Sequence, residues 1–204
     1  MSLPLLVELP PSLIALSERA EQSLQTALAE HEGLSARFAA WPQTRHDAWR
    51  QVAALSDFVA EQAQRDPQMF SALAESGELE RCLAPGELRQ QLQALLADCA
   101  DEEALGRCLR RFRSRQQLRI IWRDFSRQAA LGETCRDLSD LADACIDLAY
   151  HWLYPRHCEQ FGTPTGRRSG QAQHMVILGM GKLGAHELNL SSDIDLIFGY
   201  PEGG

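Results

Sequence analysis

The chain has 204 residues, of which 45% are hydrophobic and 24% are charged, so its composition is that of a globular protein and excludes a disordered one. At about 100 to 200 residues per domain, this length allows one or two domains with a sizeable core. Twenty basic residues stand against 28 acidic ones, and the net charge of −8 argues against a protein that binds polyanions over its whole surface.

From Ser12 to about Arg127 the apolar residues recur at helical spacing, with Glu, Gln and Arg between them. Pro and Gly residues interrupt this pattern where helices are expected to begin or end. There is no repeat of fixed period, which argues against a solenoid. The sequence predicts an antiparallel array of helices over residues 12–31, 43–65, 68–76, 86–99, 102–131 and 133–160.

The cysteines show neither zinc spacing nor a Cys-x-x-Cys pair. We interpret them as small buried apolar residues of a reducing compartment. No apolar run approaches the roughly 20 residues of a membrane span, and residues 1–9 lack the basic region of a signal peptide. The sequence therefore predicts a cytoplasmic protein without membrane association. The cysteines are Cys82, Cys99, Cys108, Cys135, Cys145 and Cys158.

The pattern changes after Phe161. Residues 162–170 are polar and rich in turn-forming residues, which predicts a loop. An apolar run at 175–178 predicts a buried strand, a glycine-rich turn follows, and a second strand is predicted over 194–200. Because two strands do not make an independently stable sheet, we expect the chain to end inside a second domain.

Residues 179–184 have the form Gly-x-Gly-x-x-Gly, which binds dinucleotides when a crossover helix and a parallel strand follow. Residues 185–192 are too few for that crossover, which needs about a dozen residues. We therefore set the dinucleotide interpretation aside. A P-loop is excluded because Lys182 precedes Leu183 and not Ser or Thr.

Asp193 and Asp195 are candidate metal ligands. Residues i and i+2 of a strand project to the same face, so we expect two carboxylates side by side. Adjacent carboxylates repel each other unless a cation is bound, and Mg²⁺ prefers oxygen ligands and can bridge to substrate phosphates. A solvated strand edge is the alternative for an isolated Asp-x-Asp, but the nearby glycine turn favours a metal site.

The glycine turn is a candidate phosphate contact. Glycines permit the backbone to approach a phosphate closely, and a helix expected to start near Gly184 would point its N–H groups at that phosphate. Lys182 is the single lysine of the chain and would add a compact ammonium group.

Residues 181–196, Gly-Lys-Leu-Gly-Ala-His-Glu-Leu-Asn-Leu-Ser-Ser-Asp-Ile-Asp-Leu, resemble the nucleotidyltransferase motif of the bifunctional glutamine synthetase adenylyltransferase/adenylyl-removing enzymes. Residues 118–125 and 138–144 are also similar to the N-terminal region of that family. The resemblance implies an α+β fold class, with a helical N-terminal region followed by the truncated start of an α/β nucleotidyltransferase domain. The implied boundaries are 1–161 for the helical region, 162–172 for a linker loop and 173–204 for the nucleotidyltransferase domain.

The resemblance implies an enzyme whose N-terminal half removes AMP from a tyrosine of glutamine synthetase by phosphorolysis, giving ADP, and whose C-terminal half attaches AMP from ATP. The motif here resembles the adenylyl-removing copy. Glutamine synthetase is then the protein substrate, and the PII signalling protein regulates the full-length enzyme. The alternatives are a PII uridylyltransferase-like nucleotidyltransferase and a non-catalytic helical interaction module.

Site residues follow from the same resemblance. Asp193 and Asp195 would be catalytic and would bind Mg²⁺, while Gly181, Lys182 and Gly184 would contact the phosphates of the nucleotide (ATP or ADP) or inorganic phosphate.

Four further polar residues accompany this set. Ser192 is expected either to contact phosphate or to cap the local backbone. Glu187 and Asn189 are expected to hold the helix and loop behind the site. Family members complete the metal site with a third carboxylate on a later strand, and Glu202 is not expected to replace it. We therefore expect the 204-residue chain alone to be inactive or very weakly active.

Eight arginines between residues 107 and 127 stand against one acid, Asp124, and most share one helix face at four-residue spacing. A solvated face is the favoured interpretation. Docking onto the catalytic domain or an acidic protein is the next, and nucleic-acid binding is the least favoured. The arginines are Arg107, Arg110, Arg111, Arg113, Arg115, Arg119, Arg123 and Arg127.

Overall fold

The structure, a computed structural model, describes residues 9–203. These residues form helices and a two-stranded antiparallel sheet, which confirms the predicted α+β fold class. Nowhere in 9–203 is a helix both long and apolar enough to cross a membrane. The elements are α1 Pro11–Ala29, α2 Leu34–Ala39, α3 Gln43–Leu55, α4 Asp57–Arg65, α5 Pro67–Glu75, α6 Glu87–Leu96, α7 Glu102–Phe125, α8 Leu131–Phe161, β1 Val176–Gly179, α9 Gly181–Gly184 and β2 Leu196–Gly199.

Most predicted helices are confirmed with ends shifted by a few residues, but the predicted helix 43–65 is two helices. Ser56 separates α3 from α4 in an extended conformation, and its side chain accepts a hydrogen bond from the Val59 N–H at 3.3 Å. This side-chain cap replaces the missing helical bond and starts a new helix. The short α2 was not predicted; it begins after Gly33, whose φ is +77°.

Two compact units divide the chain by contacts. Of the described residues, the first contains 9–84 together with 113–134, and the second contains 85–112 together with 135–203. The domain boundaries expected from the sequence stay a prediction.

The core of the first unit is built around aromatic side chains. Trp49, Phe70 and Trp122 are at most 1% exposed. The Phe70 ring centroid lies 5.3 Å from that of Trp49 and 6.2 Å from that of Trp122. Gln51 ties α3 to the end of α7, because its Nε2 donates to the Phe125 carbonyl at 2.6 Å.

The arginine face is not uniformly solvated, so that interpretation is wrong for part of it. Arg119 and Arg123 are 0% and 4% exposed. The Arg123 guanidinium donates to Glu133 at 2.7 Å and to the Leu79 carbonyl at 3.4 Å. Buried carbonyls need donors, and these guanidinium groups supply them inside the first unit. The solvated interpretation does hold for Arg107, which is exposed and paired with a glutamate one turn away.

The second unit consists of α6, the first half of α7, most of α8, α9 and the sheet. Arg89 of α6 pairs with Asp147 of α8. Two tyrosines of α8 fix the segment before β1: the Tyr150 hydroxyl accepts from the Met175 N–H at 3.0 Å, and Tyr154 donates to the Gln173 carbonyl at 2.9 Å. Helix α8 therefore holds the segment that leads into β1.

The cysteines lie in different environments, and the prediction that they are buried holds only in part. Cys99 is buried, Cys82 is exposed, and the other four are intermediate. An isolated helical pattern does not show which neighbouring element covers a small side chain, so the exposure of Cys82 was not predicted.

Candidate functional site

The antiparallel sheet joins the two halves of the sequence motif. Gly179 of β1 lies opposite Leu196 of β2, and the Met180 N–H extends the ladder by donating to the Asp195 carbonyl at 2.9 Å. Because the strands are antiparallel, the end of β1 and the start of β2 lie at the same edge of the sheet. The glycine turn after β1 therefore adjoins the aspartates before β2. Antiparallel pairing also confirms that the dinucleotide interpretation was rightly set aside.

Asp193 and Asp195 do not lie on a strand, so the predicted strand placement is wrong. Strand β2 begins at Leu196, and both aspartates lie before it in a segment without regular secondary structure. The hydrogen-bond ladder ends at Asp195 because the segment opposite it turns into α9 after Met180. Both carboxylates belong to exposed residues, beside the glycine turn.

Each glycine of the turn has its own structural reason. Gly181 has a φ of +55°, a conformation that side chains disfavour. A Cβ on Gly184 would lie 2.4 Å from the Gly179 carbonyl oxygen, and one on Gly179 would lie 2.9 Å from Leu183 Cγ. The turn is therefore tight because the end of β1 and the end of α9 are in contact. The helix begins at Gly181 and not near Gly184, which corrects the predicted start.

Lys182 lies on the exposed side of α9, and Leu183 faces the interior with 5% exposure. The Lys182 carbonyl accepts a hydrogen bond from the Glu187 N–H at 2.7 Å. This bond fixes the backbone that carries the lysine and leaves its ammonium group at the surface. The Glu187 backbone therefore helps to hold the turn, and the role expected of its side chain stays a prediction.

Ser192 and Asn189 form a closed local turn. The Ser192 hydroxyl donates to Asn189 Oδ1 at 2.6 Å and accepts from the Asn189 N–H at 3.1 Å. The Ser192 N–H also donates to the Asn189 carbonyl at 3.1 Å. Ser192 therefore has the capping role that was one of its two predicted roles, and Asn189 holds the loop that leads to the aspartates.

Helix α8 anchors the segment after the glycine turn, which sequence reasoning did not predict. The buried Leu188 N–H donates to Ser139 Oγ at 3.2 Å. His186 Nε2 lies 3.1 Å from Asp140 Oδ1, and His186 Nδ1 lies 3.9 Å from Asp143 Oδ2. The available signal was the Ser139-Asp140 pair inside residues 138–144, the stretch already similar to the family.

The electrostatic environment near His186 depends on acidic residues of α8. Burial raises the pKa of Asp143, and the nearby His186 opposes that rise. A cavity of about 280 Å³ lies between α8 and the sheet, and its polar lining includes Asp143, Asp147, Tyr150 and His151. Two aspartates of α8 therefore line this cavity beside the sheet.

The carboxylate of Glu202 is engaged by the loop that precedes the sheet. It accepts hydrogen bonds from the Arg168 N–H at 3.0 Å, the Ser169 N–H at 3.1 Å and the Ser169 hydroxyl. The Ser169 hydroxyl and these backbone groups lower the pKa of Glu202. Glu202 therefore closes a loop. The expectation that it is not the third metal ligand stays a prediction.

Two carboxylates fit part of a magnesium site by their chemistry. Hard oxygen ligands suit Mg²⁺, which keeps several waters and is often held by one or two carboxylates together with substrate phosphates. The exposure of Asp193 and Asp195 leaves room for such waters. Within residues 9–203, no group of three or more His, Cys, Asp or Glu side chains is placed to hold a metal ion.

Comparison with known proteins gives consistent matches. A family model described as glutamate-ammonia ligase adenylyltransferase matches residues 47–204. A Pseudomonas aeruginosa protein named bifunctional glutamine synthetase adenylyltransferase/adenylyl-removing enzyme is 68% identical over 100% of the chain. Proteins of the same name from Pseudomonas syringae and Vibrio parahaemolyticus are 63% and 43% identical over 100% and 97% of the chain. The chain spans about a fifth of their length, 21%, 21% and 20% respectively. These matches confirm the resemblance predicted from residues 181–196.

Proposed function

Because the chain belongs to the glutamate-ammonia ligase adenylyltransferase family, we propose that its glycine turn and aspartate pair form part of the adenylyl-removing site of a larger enzyme that acts on glutamine synthetase. The supporting observation is the antiparallel pairing of β1 with β2, which brings Lys182 and Asp195 to one edge of the sheet. The helical region before the motif favours the adenylyl-removing copy over the copy that attaches AMP. A cytoplasmic location and regulation by PII of the full-length enzyme belong to the same proposal.

The proposed reaction is phosphorolysis of adenylyl-tyrosine. An oxygen of inorganic phosphate attacks the adenylyl phosphorus, the bond between that phosphorus and the tyrosine oxygen breaks, and the products are ADP and tyrosine, whose oxygen takes up a proton. Asp193 and Asp195 would hold Mg²⁺, which when bound neutralises phosphate charge and polarises the phosphorus.

The chain's own residues supply position and charge. Lys182 presents a compact ammonium to phosphate oxygens from a backbone that is fixed by the Glu187 N–H. Gly181 and Gly184 keep the turn free of side chains, so that a phosphate can approach the backbone. Ser192 maintains the turn that leads to the aspartates and is a weaker candidate for phosphate contact.

We propose that the 204-residue chain alone is inactive. The face of the sheet that carries Leu178 and Ile197 leaves these side chains 53% and 49% exposed, as expected for a sheet that needs further cover. The catalytic test therefore uses the full-length gene product.

The experiment measures phosphate-dependent ADP release from adenylylated glutamine synthetase. We expect the double variant Asp193→Asn, Asp195→Asn to lose at least about 100-fold in rate while forward adenylylation from ATP is retained. Asp98→Asn, at an exposed aspartate of the second unit, is the matched control and is expected to behave as wild type. Normal ADP release by the double variant would overturn the assignment and bring the interaction-module alternative forward.

A further inference from the structure

His186 occupies a backbone position that usually belongs to glycine. Its φ is +60°, and it follows α9 in a Schellman arrangement, in which the Glu187 N–H donates to the Lys182 carbonyl at 2.7 Å and the His186 N–H to the Leu183 carbonyl at 2.9 Å. A side chain at positive φ is strained, and such strain persists when the surrounding contacts determine the conformation.

The contacts that offset this strain come from α8. His186 lies 3.1 Å from an Asp140 oxygen and 3.9 Å from an Asp143 oxygen, with about half of its side chain exposed, 46%. Ser139, which precedes Asp140 on α8, is fully buried, and its hydroxyl oxygen accepts a hydrogen bond from the Leu188 N–H. Together these α8 residues, Ser139, Asp140 and Asp143, form a platform under the end of the glycine turn.

The platform acts on the backbone of Lys182. The Lys182 carbonyl is held by the Glu187 N–H, and residue 187 lies between the two residues anchored to α8, His186 and Leu188. Movement of His186 away from Asp140 would therefore loosen the bond that fixes Lys182.

We propose that His186 is a positioning residue which, through Asp140 and Asp143, fixes the turn that presents Lys182 to phosphate. The proposal rests on the proposed function for the identity of the phosphate substrate, but the anchoring itself does not. Its two parts can therefore be tested separately.

The first test measures hydrogen exchange of the Leu188 and Glu187 amides in the full-length gene product. We expect His186→Gln and Asp140→Asn to raise exchange up to about five-fold, the range of a partly exposed ion pair. His186→Arg, which keeps hydrogen-bond donors next to Asp140, is expected to stay near wild type. His151→Gln is the matched control, because His151 pairs with Asp147 on α8 at a distance of 3.2 Å from the nearest carboxylate oxygen.

His186→Gly separates anchoring from backbone strain. Glycine accepts positive φ without cost, so a residue whose importance is limited to strain would give unchanged or slower exchange at Leu188. We expect faster exchange at Leu188, since the contact with Asp140 is lost. Unchanged or slower exchange in His186→Gly would overturn the proposal.

The second test uses the full-length gene product and varies the phosphate concentration during ADP release. We expect His186→Gln to raise the KM for phosphate several-fold with kcat close to wild type, and His186→Arg to restore the KM. An unchanged KM, together with faster amide exchange, would overturn the positioning role. Failure of the proposed function shows separately, as ADP release that survives loss of both Asp193 and Asp195.

Discussion

The Gly179 carbonyl oxygen lies only 2.4 Å from the position that a Cβ atom on Gly184 would occupy. This approach brings the end of β1 against the end of α9 and sets the tightness of the turn that carries Lys182. Real Cβ atoms do not come so close to a backbone oxygen, so residue 184 must be glycine for this turn to form.

Gly184→Ala is therefore expected to destabilise the chain by about 1–3 kcal/mol, as overpacking against an immovable neighbour does. Urea unfolding of the chain measures this change, and ADP release by the full-length product should fall with it. Gly132→Ala is the matched control: nothing lies within 4 Å of a Cβ there, and alanine in α8 is expected to be neutral or stabilising by up to about 1 kcal/mol. Equal effects of the two substitutions would contradict this account.

Arg123→Leu is expected to cost about 3–5 kcal/mol, because it leaves Glu133 as a largely buried carboxylate without its guanidinium partner. Arg107→Leu removes a pair whose side chains are 56% and 82% exposed, and is expected to change stability by less than about 0.5 kcal/mol. Thermal and urea unfolding of both variants provide the comparison. Similar losses at the two positions would mean that burial does not govern the arginine face.

The same pair of arginines shows how far the sequence determines the fold. Helical periodicity predicted most helices, since it reflects which residues face a core. Four-residue spacing predicts one face for Arg107 and Arg123, but an α-helix turns about 100° per residue, so positions 16 apart lie about 160° apart around its axis. The two side chains therefore point to nearly opposite sides, and only Arg123 reaches buried acceptors such as the Leu79 carbonyl. The break at Ser56 was missed for a related reason: a single side-chain cap interrupts an otherwise helical pattern.

Those parts of the candidate site whose residues lie close together in the sequence could be predicted from it. Gly181, Lys182 and the aspartates lie in one short motif, and the turn and strand around them follow from glycine and β-branched residues. The prediction that Asp193 lies on a strand was wrong, because strand pairing ends where the segment after β1 turns into α9. The link between Ser139 and Leu188 joins residues 49 positions apart, and no local pattern specifies it.

Glu202 is expected to make closure of the loop before the sheet dependent on pH. Hydrogen bonds from Ser169 and Arg168 lower the pKa of its carboxyl below the ordinary 4.5, so they favour the ionised form. Their contribution is present above about pH 4.5 and is lost as the pH falls through the lowered folded-state pKa.

Amide chemical shifts of Arg168 and Ser169, followed from about pH 6 to pH 3, measure this transition. Glu202→Gln is expected to abolish it, because an amide does not titrate. Glu61→Gln, at an exposed glutamate of the first unit, is expected to leave it unchanged. A transition that persists in Glu202→Gln would show that another group governs the loop.

Ser139→Ala tests the buried hydrogen bond between α8 and the segment after the glycine turn. Ser139 Oγ accepts the Leu188 N–H and donates to the Cys135 carbonyl at 2.8 Å, and the alanine variant leaves the Leu188 N–H buried without its acceptor. We expect a loss of about 1–3 kcal/mol in the free energy of unfolding. Ser23→Ala, on the exposed face of α1, is the control and should change stability by less than about 0.5 kcal/mol. If the two variants unfold at the same urea concentration, α8 does not hold the turn through Ser139.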